Sequence, residues 1–150
     1  MRTDVPFKSN RNLVYSCKYH VVWCPKYRQP VLVNSVRTRL KEILLHIAQE
    51  LRSEIIEIEV VSDHVHLLCE VDPQLGINRL VGRLKGSSSR LLRQEFPYLK
   101  HLPSLWTNSC FIATVGGAPL EVIKQYIEQQ KDEKCQRKKL TRSSSRYRSK

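Results

Sequence analysis

From Leu13 to Cys24 the chain is rich in β-branched and aromatic residues that alternate in facing, with Tyr15, Cys17, Tyr19, Val21 and Trp23 on one side of a predicted long strand ending at Pro25. Pro30-Val-Leu-Val reads as a short return. The period then changes. Val36, Leu40, Ile43, Leu44, Ile47 and Leu51 recur at helical spacing, predicting a helix over residues 36–52 with Ser35 as its N-cap. Alternation resumes over residues 55–61, Ser62 and Asp63 supply a turn, and residues 64–71 return as the partner strand of a hairpin. A second helix from about Gly76 to Phe96 carries Leu80, Leu84, Leu91 and Leu92, and its Gly86-Ser-Ser-Ser run, poor in helix formers, predicts a kink or break. Pro97 and Pro103 bracket a loop, and Leu105 to Val115 reads as another strand. Gly116 and Gly117 form a flexible joint before a last helix with Pro119 in its first turn. The order βαββαβ predicts an α+β fold, a ferredoxin-like or RRM-like sandwich with an antiparallel central sheet, extended by that C-terminal helix.

A net charge of +12 changes the picture by calling for a polyanionic partner. No apolar run approaches the roughly 18 residues of a membrane span, and neither a signal-peptide core nor a lipidation motif is found, so the expectation is a cytoplasmic protein without membrane contact. The five cysteines are widely spaced and include no Cys-x-x-Cys pair, which excludes a disulfide framework or zinc ribbon and predicts reduced residues. Residues 1–131 are expected to form one domain. Residues 132–150 read as a basic, disordered tail.

The candidate chemistry starts at Asp63-His-Val-His-Leu-Leu. On a strand His64 and His66 project to one side and Val65 to the other, as do the two imidazoles of a metal site that still needs an oxygen ligand. Two hydrogen-bonded strand histidines with no ligand would show the same pattern. In the last helix Leu120, Ile123 and Ile127 form the apolar arc, with Tyr126 and Gln130 one turn apart at its margin. They fit an ordinary core rim. They equally fit a nucleophile beside an amide ligand.

Taken together, Tyr19-His-Val-Val-Trp-Cys-Pro-Lys-Tyr-Arg, the His64-Val65-His66 strand, Trp106 and Thr114-Val-Gly-Gly-Ala-Pro-Leu-Glu-Val-Ile-Lys-Gln-Tyr-Ile-Glu-Gln-Gln strongly resemble the single-tyrosine HUH transposases of small insertion sequences, from about Val14 to Lys131. The resemblance implies metal ligands at His64, His66 and Gln130, a catalytic tyrosine at Tyr126, and Mg²⁺ or Mn²⁺ as cofactor. It further implies a homodimer that binds hairpins near the ends of single-stranded transposon DNA and passes through a 5′-phosphotyrosine. Gly116 and Gly117 would be the hinge that lets the tyrosine helix of one subunit serve the other. Lys26, Arg28, Arg79, Arg83, Lys85 and Arg90 are candidate phosphate contacts, each also compatible with a merely solvated face. His20, His46 and His101 complete no spacing and read as structural or surface residues. Three rivals stay open: an RRM-like binder stacking bases on Tyr15, Tyr19 and Trp23, a metal-dependent hydrolase drawing on Glu70, and a domesticated relative that processes genomic palindromes.

Overall fold

The computed structural model describes residues 8–9, 13–115 and 125–129. Alternation over Lys18–Trp23, Glu54–Val61, His64–Glu70 and Phe111–Thr114 becomes four strands, here β3, β4, β5 and β6, after two short strands β1 (Lys8–Ser9) and β2 (Val14–Tyr15) that pair with each other. The four lie in the order β4-β5-β3-β6, and every neighbouring pair is antiparallel. Two helices, α1 (Asn34–Glu50) and α2 (Ile77–Glu95), supply the crossovers. This is the ferredoxin-like arrangement expected from the element order, with the two histidines on a central strand.

The helices cover one sheet face. Val36, Leu40, Ile43, Leu44 and Ile47 from α1 and Leu80, Leu84 and Leu92 from α2 meet Val21, Trp23, Val65, Leu67 and Cys69 in a single apolar core. Because strand side chains alternate, the residues between these, namely His20, Val22, His64, His66 and Leu68, belong to the opposite face. Burial of the apolar set therefore fixes which way the histidines point: a one-residue slip of β5 would exchange Val65 and Leu67 for His64 and His66.

Several sequence expectations change. The first long strand is interrupted: β2 and β3 are separated by Ser16 and Cys17, whose carbonyl accepts from the Val71 amide at 2.9 Å. Pro30–Val33 is no strand, although Leu32 is wholly buried and its amide reaches the Ser62 carbonyl at 3.0 Å. The first helix begins at Asn34, one residue before the expected cap, and Val33 at its cap makes no side-chain capping bond. The segment from Leu105 becomes strand only at Phe111, with one isolated bridge between Trp106 and Pro25. Most instructive is α2, which runs unbroken through Gly86-Ser-Ser-Ser. Ser88 is fully buried there and accepts the Trp106 indole N–H at 3.0 Å while its own hydroxyl donates to the Lys85 carbonyl at 3.1 Å. A small side chain is needed where the indole lands, and this tertiary contact outweighs the weak helix propensity.

Candidate active site on the open sheet face

The register lines up one row across the open face: Glu59 opposite His66, His66 opposite Val22, and Val22 opposite Phe111. His64 lies two residues along β5 on the same side. A cavity of about 340 Å³ beside the row is lined by Glu57, Ile58, Glu59, His66 and Leu68. Residues 125–129 are helical, and the Tyr126 ring lies 5.3 Å from that of Phe111, centroid to centroid. Tyr126 Oη donates to Ser109 Oγ at 3.3 Å. The nucleophile candidate thus stands on the same face as the histidines, over a residue two strand spacings, roughly 10 Å, from His66.

Each histidine is held by a different partner. His64 Nδ1 is 2.9 Å from Asp63 Oδ1, which leaves Nε2 as its outward nitrogen. Burial alone would raise the Asp63 carboxyl, but the hydrogen bond with His64 and the Arg28 guanidinium hold it below the ordinary aspartate value. His66 Nε2 lies 3.2 Å from His20 Nδ1, with ring centroids 5.4 Å apart. Burial and, next, the neighbouring His20 push His66 below the ordinary histidine value, favouring the neutral imidazole that a cation requires. Sequence spacing does not single out His20, because its place beside His66 depends on pairing between β3 and β5, which no local spacing encodes. Two same-face imidazoles, one braced by a carboxylate, suit a divalent cation. Among the described residues no cluster of three His, Cys, Asp or Glu side chains completes such a site. Gln130, the expected third ligand, lies outside the described residues, as do Gly116, Gly117 and the basic tail.

The expected phosphate contacts divide. Arg79, Arg83 and Arg90 are exposed on α2, in the layer on the other side of the sheet from the histidines. Lys26 sits over the Tyr27 ring, 5.5 Å from its centroid. Lys85 is committed internally: its ammonium donates to the carbonyls of Thr107 at 2.7 Å and Ser109 at 3.1 Å, bracing the loop that carries the Tyr126 partner. Arg28 is likewise turned inward, donating through Nε to Asp63 Oδ2 at 2.7 Å and through one terminal nitrogen to the Ile127 carbonyl at 3.1 Å. Glu70 shares the His66 face but is buried at the far end of β5, where Lys18 Nζ is 3.7 Å away.

Comparison with known proteins agrees with this architecture. A family model described as IS200-like transposase matches residues 13–130. Over 128 residues the chain is 43% identical to the ISDra2 transposase TnpA of Deinococcus radiodurans, covering 83% of this chain and 91% of the relative. A transposase for insertion sequence element IS200 from Salmonella typhimurium is 33% identical over 129 residues, 84% of either chain. A crystal structure of a Deinococcus radiodurans transposase superposes with a TM-score of 0.74 at 40% identity, covering 82% of this chain and 97% of the other. From the order of its strands to the extent of these matches, the chain belongs to the family of IS200-like transposases.

Proposed function

We propose that this transposase cleaves and rejoins single-stranded DNA at its element's ends, with Tyr126 as nucleophile and His64, His66 and Gln130 as ligands of Mg²⁺ or Mn²⁺. The observation that carries the reading is the common face: two imidazoles from β5 and the Tyr126 phenol stand on the side of the sheet that the helices leave uncovered. In the reaction Tyr126 Oη forms a bond to phosphorus and the bond from phosphorus to the 3′ oxygen breaks. The phenol loses its proton and the departing oxygen gains one, leaving a 5′-phosphotyrosine and a free 3′-hydroxyl. A phenol titrates near 10 and attacks poorly at neutral pH, so the scissile phosphate has to be made more electrophilic. A bound divalent cation supplies that polarisation and offsets charge in the transition state. Ser109 accepts from the phenol and orients it, while Asp63 and His20 hold the two imidazoles. Since the covalent link preserves the phosphodiester, a later 3′-hydroxyl can displace the tyrosine without ATP. Hairpins at the element ends are the proposed recognition elements, and a homodimer the proposed assembly.

The RRM-like binder loses its main support, because Trp23 is fully buried in the core and Tyr19 packs against it from the helix side. A direct test incubates the protein with single-stranded element ends and Mg²⁺ and resolves SDS-resistant protein–DNA adducts. Wild type should form one, Tyr126→Phe none, and a chelator should abolish the wild-type product. Equal adduct from Tyr126→Phe would sink the proposal.

A further inference from the structure

Arg28 contacts both the histidine hairpin and the segment that carries Tyr126. Its Nε donates to Asp63 Oδ2 at 2.7 Å, and Asp63 Oδ1 in turn holds His64 Nδ1 at 2.9 Å. A terminal nitrogen of the same guanidinium donates to the Ile127 carbonyl at 3.1 Å and lies 3.8 Å from a Glu128 carboxylate oxygen. Only 9% of the side chain is exposed. The backbone contributes to the aim: Tyr27 and Arg28 both adopt left-handed conformations, with φ of 58° and 52°, in the short 3₁₀ turn Lys26–Arg28 that follows Pro25. A non-glycine residue keeps such a conformation only where its surroundings hold it there.

We propose that Arg28 is a positioning residue, a latch that docks the Tyr126 segment beside the histidine hairpin and links that docking, through Asp63, to the orientation of His64. Arginine suits the task because its planar fork offers donors on two edges at once. One edge is spent on a carboxylate that braces a histidine and the other on a backbone carbonyl one residue beyond the tyrosine. Lysine has a single point of charge and cannot reproduce that geometry. The catalytic part of the inference rests on Tyr126 being the nucleophile, whereas the docking part does not.

Hydrogen–deuterium exchange of the full-length protein separates the two parts. Charge-assisted hydrogen bonds are strong enough that Arg28→Ala should speed exchange in peptides spanning residues 121–131 about tenfold or more, with residues 64–70 keeping wild-type protection. Arg28→Lys, which retains the charge beside Asp63, should fall between the two. With a single-stranded oligonucleotide carrying the element end, Arg28→Ala should lower the adduct-forming kcat and leave KM unchanged. Wild-type exchange over residues 121–131 in both variants would overturn the latch, as would a loss of protection spread over the whole sheet. Faster exchange with an unaltered kcat would overturn the coupling to chemistry. Absence of adduct from wild type would instead strike the proposed function, and the exchange data would still decide the docking.

Discussion

His66 is half-buried between strands, and the nitrogen it presents across β3 is met by the His20 imidazole. A hydrogen bond between two imidazoles ties the N–H of one to the bare nitrogen of the other, so His20 couples the tautomer and ring orientation of His66 to its own. Partners of this kind behind a metal ligand typically contribute 10–100-fold in affinity. His20→Phe, which keeps an aromatic ring but removes the nitrogen, should therefore weaken Mn²⁺ binding about tenfold, as read by titration calorimetry. His46→Ala on the exposed side of α1 should leave it unchanged, since His46 faces Glu50 one turn away. Equal affinity in wild type and His20→Phe would remove His20 from the site. The contrast with His64 and His66 marks what a sequence can disclose about single residues. Those two announce themselves by strand period alone, whereas His20 becomes a neighbour only through the antiparallel register that sets Val22 opposite His66. Asp63 and Arg28 are separated by 35 positions and likewise meet only in three dimensions.

Elements that bury one face were legible because the period of their apolar residues is dictated by that burial, as in α1, α2, β4 and β5. What misled was local composition where a tertiary contact decides. Gly86-Ser-Ser-Ser reads as a helix breaker, yet Ser88 lies at the crossing where the Trp106 indole packs edge-on against Trp23, with ring centroids 5.8 Å apart. Leu105 to Cys110 has strand composition but serves as the irregular loop that delivers Trp106, which bridges to Pro25 instead of pairing along a ladder. The stability of α2 consequently depends on the size of residue 88. Ser88→Leu should destabilise the fold by about 2–3 kcal/mol through overpacking and loss of the indole's hydroxyl acceptor, measured as a lower urea midpoint with an unchanged slope. Ser87→Ala, at a half-exposed neighbour, should change the midpoint little. Comparable losses at both positions would mean that helix propensity rather than the Trp106 contact governs this stretch.

At the scale of the whole molecule, the sheet separates two surfaces with different work. One is closed by helices whose exposed arginines face away from the histidines, and the other carries His64, His66, Phe111 and the docked Tyr126 segment. Among the described residues no helix is long and apolar enough to cross a membrane. The +12 charge suits a chain whose family, the IS200-like transposases, acts on DNA. The proposed dimer leaves open which chain's tyrosine serves which pair of histidines, since the bonds that Arg28 makes to Asp63 and to the Ile127 carbonyl have the same geometry within one chain or between two. Mixing Tyr126→Phe with His64→Ala protein decides the matter. When helix and histidines act within one chain, every chain in the mixture carries a broken half and adduct should stay at background. Exchange between subunits would instead rebuild one intact site in each heterodimer, restoring about a quarter of wild-type sites on random pairing in a two-fold assembly. With Gly116 and Gly117 acting as the hinge between subunits we expect recovery near a quarter; adduct at background would place the tyrosine and the histidines of each site on one chain.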